Sequence, residues 1–136
     1  MPAINFKTKW EDGSPTNFRD MILDGRKPHT IRPVRQHPVK KGDALSLYTG
    51  MRTSHCEIIG KVKCLDVRPI QIYQSWDVNR QLILNGKPLS EEHTQLLTIN
   101  DGFENLEKFY DFFEYMYDQY QQEFDLRLIQ WRETPY

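Results

Sequence analysis

The strongest constraint on the fold is an amphipathic segment in the last third of the chain, from Phe103 to Phe124. Its apolar residues recur at spacings of three and four, which places them on one face of a predicted helix: Leu106, Phe109, Phe113, Met116, Tyr117 and Tyr120. Acidic residues lie largely on the opposite face. A helix with one apolar face must bury that face against another layer. The rest of the chain therefore has to supply the layer that this helix covers.

Short segments with strand patterns predict that layer. They are Ala3–Lys7, Thr30–Val34, Ala44–Tyr48, His55–Val67, Arg80–Leu84, Lys87–Leu89 and Leu126–Trp131. Gly60 predicts a bulge or bend in the longest of them, and Asn85-Gly86 predicts a tight turn. Two shorter helices are expected, one ending at Gly25 and one running from Ser90 to just before Asp101. The order of elements predicts an α+β fold, a β-barrel with flanking helices, in a single domain over residues 1–136.

Composition narrows the functional classes. The chain has 136 residues, of which 38% are hydrophobic and 27% charged, as in a soluble globular domain. It lacks both an apolar stretch near the ~20 residues of a membrane span and an apolar signal core, so we expect a cytoplasmic monomer with no membrane partner. The spacing of Cys56 and Cys64 fits neither a metal pair nor a disulfide scaffold, and the four histidines are scattered. The sequence predicts no metal and no cofactor.

Charge is divided unevenly along the chain. The net charge is −1, yet six of the 18 basic residues lie between Gly25 and Gly42, where there is no acidic residue. Between Glu91 and Asp125 there are ten acidic residues and one basic residue. The basic segment predicts a local positive potential for an anionic or polar partner, and the low net charge argues against indiscriminate binding of duplex nucleic acid.

The basic segment also carries a family resemblance. Its opening, Gly25-Arg26-Lys27-Pro28-His29-Thr30-Ile31-Arg32, resembles the Gly-x-Lys-x-x-Thr-x-Arg signature of the ASCH domain, a family with a PUA-like β-barrel. Three further segments resemble family features: Ile4-Asn5-Phe6, Gly42-Asp43 before Leu45-Ser46-Leu47, and Asp101-Gly102-Phe103 at a predicted helix start. The resemblance covers most of the chain, from about Ile4 to Trp131.

The resemblance implies a reaction site as one possibility. Some ASCH enzymes use a lysine, a threonine and a carboxylate to remove an acyl group from modified cytidine, and Lys27, Thr30 and Asp101 match those positions, with aspartate in place of the glutamate of that subgroup. Arg26, Arg32 and burial would disfavour the charged form of Lys27 and make it a base. The alternatives are structural: a solvated loop lysine, a threonine that caps a loop, and Asp101 as the N-cap of a capping box.

The other possibility is a binding cleft for RNA or a nucleobase-containing ligand. The expected ligand-binding residues are Arg26, His29, Arg32, Tyr48, Arg52 and Phe103, and Trp10 and Trp76 are further candidates to stack on a base. Basic groups suit phosphate, aromatic rings suit a base, and an acid suits an exocyclic amine. Two other hypotheses remain open. One is a hydrolase of nucleic-acid components, either an amidohydrolase or a ribonuclease, and the other is a protein-interaction module that uses the acidic helix.

Overall fold

The computed structural model describes residues 2–73, 80–120 and 125–136, with the backbone alone for 117–120. In those ranges the elements are β1 (Ala3–Phe6), α1 (Phe18–Leu23), β2 (His29–Pro33), β3 (Ala44–Thr49), β4 (Glu57–Lys63), β5 (Asp66–Tyr73), β6 (Gln81–Leu84), β7 (Lys87–Pro88), α2 (Glu91–Asn100), α3 (Leu106–Tyr120) and β8 (Leu126–Gln130). Most of the predicted elements are confirmed within one or two residues at each end. Asn85 and Gly86 both have positive φ, as the predicted tight turn requires.

The strands form two sheets. The three-stranded sheet has the order β1-β3-β4, with β1 parallel to β3, and the five-stranded sheet has the antiparallel order β2-β8-β5-β6-β7. Among the described strands, no ladder of hydrogen bonds joins one sheet to the other. The α+β class is therefore confirmed, whereas the closed barrel stays a prediction.

The prediction of one strand over His55–Val67 is wrong. The chain leaves β4 at Lys63, passes through Cys64 and Leu65, and enters the other sheet as β5. The irregularity expected near Gly60 is confirmed. Leu47 pairs with Gly60 while its neighbour Tyr48 pairs with Ile58, so β4 contains one residue more than β3 at this point.

The segment Asp101-Gly102-Phe103 ends a helix instead of starting one, so the predicted capping box at Asp101 is wrong. Gly102 has a φ of +101°, its N–H donates to Ile99 O, and the N–H of Phe103 donates to Thr98 O. These two bonds form a Schellman motif at the end of α2, with Asp101 as the C-cap.

Helix α3 begins three residues later than predicted. The side chain of Asn105 accepts a hydrogen bond from the N–H of Lys108 at 2.9 Å and acts as its N-cap. The predicted end at Phe124 and the side chains of Tyr117 and Tyr120 lie outside the described residues.

Two apolar clusters hold the fold together. Helix α3 places Phe109 and Phe113 against the five-stranded sheet, in a cluster that includes Leu126 and Leu128 of β8. The second cluster joins the three-stranded sheet to α1 and includes Ile129, also on β8. Strand β8 thus contributes alternate residues to both clusters, as the two faces of a strand allow.

Candidate functional site

The candidate site is a cleft of about 430 Å³. Four of the predicted site residues bring polar groups to its lining: Lys27, Thr30, Arg32 and Asp101. Much of the remaining lining is aromatic, with Phe6, Trp10, Phe18, Phe103, Phe112 and Phe113 among its members. Ligand sites of small molecules commonly have this composition, in which a few polar groups are set in a mostly apolar wall.

Lys27 reaches the cleft because the chain turns sharply after α1. Gly25 adopts a φ of +87°, and the N–H of Lys27 then donates to Met21 O, which brings the side chain inward. Only 2% of Lys27 is exposed, so the alternative of a solvated loop lysine is wrong. Its Nζ donates to the backbone O of Asp101 at 2.5 Å and to Oδ1 of Asp101 at 3.2 Å.

The pKa of Lys27 is lowered, chiefly because burial removes water from the ammonium group. The Asp101 carboxylate acts in the opposite direction and Arg32 adds to the lowering. The Lys27 ammonium also lies 4.8 Å from the ring centre of Phe18 and 5.7 Å from that of Phe6, close enough for cation–π attraction. Lys27 is thus a buried cation paired with one carboxylate, in contact with two aromatic rings.

His29 lies behind Asp101 and is fully buried. Its Nδ1 is 3.1 Å from Asp101 Oδ1, and its Nε2 makes a short hydrogen bond with the hydroxyl of Tyr136. Burial lowers the pKa of His29 against the attraction of Asp101. The sequence placed His29 among the ligand-binding residues, whereas in the fold it contacts a residue of the cleft. Tyr136 was missed, and no local pattern could have found it, because it lies 107 positions from His29.

Arg32 and Thr30 are held together on β2. The Nε of Arg32 donates to Thr30 Oγ1 at 3.1 Å, and one terminal nitrogen donates to the backbone O of Asn5 at 2.8 Å. The guanidinium also lies 4.9 Å from the ring centre of Phe6. Burial lowers the pKa of Arg32 to about 10, which leaves it charged at neutral pH. The strand therefore presents one fixed cation and one buried hydroxyl to the cleft.

A second, wider cleft of about 920 Å³ adjoins the first. Trp10, Phe103, Phe112 and Tyr115 line both clefts, so the two are continuous along these rings. Arg26 lies in the wider cleft, where its exposed Nε donates to Asp24 at 2.7 Å. Phe103 is buried, with its ring centre 5.2 Å from that of Trp10.

The other predicted binding residues lie elsewhere. Tyr48 is half-buried on β3, opposite Asn5 of β1, and Arg52 is exposed in the following turn with a φ of 66°. Neither residue lines the two clefts. Trp76 falls outside the described residues. Tyr48 and Arg52, predicted to bind the ligand, are therefore not part of the lining of either cleft.

Comparison of the chain with protein-family models, with curated proteins and with solved structures gives no match. The resemblance to the ASCH domain therefore stays a prediction from the sequence. None of the described helices is long and apolar enough to cross a membrane. Within residues 2–73, 80–116 and 125–136, no three His, Cys, Asp or Glu side chains gather as metal ligands would.

Proposed function

We propose that the chain is an ASCH-like domain that binds a nucleobase-containing ligand in the cleft beside Lys27. In this proposal its two sheets correspond to the PUA-like barrel of that family. The observation that carries the proposal is the lining of the cleft, where aromatic rings surround the buried pair of Lys27 and Asp101. A nucleobase has the matching chemistry, because its faces stack on aromatic rings and its edges carry hydrogen-bond donors and acceptors.

The dimensions of the cleft favour a nucleoside or nucleotide, or one base of a single strand, over a duplex. A volume of about 430 Å³ lies within the range of small-ligand sites. A base inside a duplex is stacked on both faces and paired along one edge, so it does not present its faces to such a cleft. The number of cations near the cleft is small, with Lys7, Lys27 and Arg32 on its lining, so few phosphates could be contacted. Binding of single-stranded RNA would then depend only weakly on salt.

Titration of the protein with cytidine, cytidine monophosphate and a short single-stranded RNA tests the proposal. Arg32→Gln removes a cation from the cleft, and Arg35→Gln is the matched control, because Arg35 bonds to Ala3 O and does not line this cleft. We expect Arg32→Gln to weaken binding about tenfold, as the loss of one charged hydrogen bond does, and Arg35→Gln to leave it unchanged. No binding by the wild type, or equal weakening in both variants, would contradict the proposal.

A second candidate is hydrolysis of an acylated nucleoside, which the presence of Lys27, Thr30 and Asp101 on one cleft favours. Here the Thr30 hydroxyl would attack the acyl carbonyl while the neutral amine of Lys27 takes its proton. The C–N bond to the base would then break, the amine of the base leaving with the proton from Lys27, and water would release the acyl group from Thr30 as the free acid. The lowered pKa of Lys27 assists that step, whereas its contact with Asp101 opposes it. For this reason binding is the first proposal and hydrolysis the second.

Hydrolysis of N4-acetylcytidine by the wild type, Thr30→Ser and Thr30→Val separates the two candidates. Thr30→Ser keeps a hydroxyl and Thr30→Val keeps the shape without it. A hydrolase would retain part of its turnover in Thr30→Ser and lose it in Thr30→Val. Absence of turnover by the wild type would leave binding alone. The same proteins incubated with single-stranded RNA test the ribonuclease alternative.

A further inference from the structure

A chain of hydrogen bonds runs from the wider cleft to Asp101 through the interior. Asn100, which lines the wider cleft, donates from Nδ2 to the hydroxyl of Tyr136 at 3.2 Å. That hydroxyl bonds to Nε2 of His29, and Nδ1 of His29 bonds to Oδ1 of Asp101. Arg68 holds Tyr136 in place by donating to its backbone O at 2.8 Å. Neither His29 nor Tyr136 lines the Lys27 cleft, and the hydrogen bonds described here connect both to it through Asp101.

The protons in this chain can be placed by elimination. An ionised carboxylate only accepts hydrogen bonds, so Nδ1 of His29 must be the donor to Asp101. Burial disfavours the charged imidazolium, so the ring is neutral and its Nε2 is an acceptor. The hydroxyl of Tyr136 must then donate to Nε2 while it accepts from Asn100. One tautomer of His29 satisfies all of these groups.

The two carboxylate oxygens of Asp101 differ in their hydrogen bonds. Lys27 and His29 both bond to Oδ1, and Lys27 also bonds to the backbone O. Among the described residues, none donates a hydrogen bond to Oδ2 of Asp101. Lys27 has three N–H donors, of which two are used here. Within the described part of the chain, the pair therefore has one acceptor, Oδ2 of Asp101, and one N–H donor of Lys27 without a partner.

We propose that Tyr136 and His29 are positioning residues that hold Asp101 through Oδ1 and so leave Oδ2 to accept a hydrogen bond from an amino group of the ligand. This inference rests on the proposed function. It names the ligand as a base with an exocyclic amine beside a ring acceptor, as in cytosine, in preference to a keto base such as uracil. A keto oxygen placed at Oδ2 would leave two acceptors facing each other without a proton, which a site of this kind rejects.

Affinity for cytidine and for uridine, measured with the wild type and Tyr136→Phe, tests the inference. The wild type should prefer cytidine by at least about tenfold. Tyr136→Phe, which removes one hydroxyl, should weaken cytidine binding about fivefold and leave uridine binding unchanged. Tyr73→Phe is the matched control, because Tyr73 is half exposed on β5 and does not line the cleft. It should behave as the wild type.

Nitrogen NMR of the imidazole of His29, without ligand, supplies a second measurement that needs no variant. The proton should be on Nδ1 in the wild type. In Tyr136→Phe the chemical shift of Nε2 should change, while Nδ1 should keep its proton. A wild-type proton on Nε2, or an unchanged preference for cytidine in a folded Tyr136→Phe, overturns the inference but not the proposed function. Failure of the wild type to bind either nucleoside overturns both.

Discussion

The buried pair of Lys27 and Asp101 gives the sharpest energetic prediction. At the observed 3.2 Å and an effective dielectric constant of ~20, Coulomb's law gives an attraction of about 5 kcal/mol. Most of that attraction offsets the cost of removing two ions from water, so the intact pair contributes little net stability. Removal of one partner is different, because the other charge then stays buried without compensation. We therefore expect Lys27→Met and Asp101→Asn each to lower the free energy of unfolding by about 3 kcal/mol.

A double-mutant cycle measured by urea denaturation tests this reasoning. The variant with both substitutions should lose at least about 2 kcal/mol less than the sum of the two single losses, which is the coupling expected of groups in contact. In thermal denaturation each single loss corresponds to a fall in Tm of about 10 °C for a chain of this size. The matched control is the exposed pair of Arg26 and Asp24, which should show no measurable coupling. Additive losses at Lys27 and Asp101 would refute the reasoning.

Three further predictions concern stability. Burial lowers the pKa of His29 below its ordinary 6.5, so below that pH the unfolded chain binds a proton that the folded protein does not. The contribution of this group to the free energy of unfolding should be constant above about pH 6.5 and should fall below it by up to ~1.4 kcal/mol per pH unit. His29→Gln should remove this pH dependence, measured by urea denaturation at about pH 5.5 and 7.5. Gly102→Ala would place a Cβ 2.5 Å from the ring of Phe18 at a φ of +101°, so its loss in urea denaturation should exceed the ~1 kcal/mol expected of Gly86→Ala, where φ is +80° and the space is open; equal losses would contradict the contact. Asn105→Ala should cost about 1 kcal/mol as the loss of a helix N-cap, with a matching fall in helical circular dichroism on heating; no loss would exclude that role.

The elements that sequence predicted well are those with strong local signals. The positive φ of Gly25 and of Asn85-Gly86 follows from residue types that adopt it easily, and the apolar face of α3 follows from its period. The break between β4 and β5 was missed because neither Cys64 nor Leu65 is a residue type that interrupts a strand, so the run of strand-forming residues looked continuous. Local patterns thus identify secondary-structure elements more reliably than the boundaries between them.

The site residues also fall into two groups, those that local patterns predicted and those whose contacts depend on the packing of distant segments. Lys27, Thr30 and Arg32 belong to one short segment, and the sequence could place them together. Asp101 was proposed from the family resemblance of Asp101-Gly102-Phe103, but its structural role was reversed, because Asp followed by Gly is compatible both with the start of a helix and with its end. The contact between His29 and Tyr136 depends on how β2 and the residues after β8 pack, which no local pattern encodes.

Asp101 is an unfavourable residue for stability at the place where it lies. The C-terminus of a helix carries partial negative charge, so a carboxylate at the C-cap of α2 is repelled there, while a cation is favoured. Lys27 supplies the cation, since its ammonium donates hydrogen bonds to the backbone O of Asp101 at the end of α2 and to the Asp101 carboxylate. A neutral C-cap with an apolar residue at position 27 would remove the buried charges, and replacements of this kind are often neutral or stabilising. The chain instead buries a lysine, a histidine and an aspartate beside an aromatic cleft, and residues that break local rules without a gain in stability are expected at functional sites.

The double variant Lys27→Met with Asp101→Asn separates the role of the pair in stability from its role in binding. It should be more stable than the sum of the two single losses predicts, and yet it should have lost the preference for cytidine over uridine. A double variant that keeps this preference would show that the pair serves the fold alone.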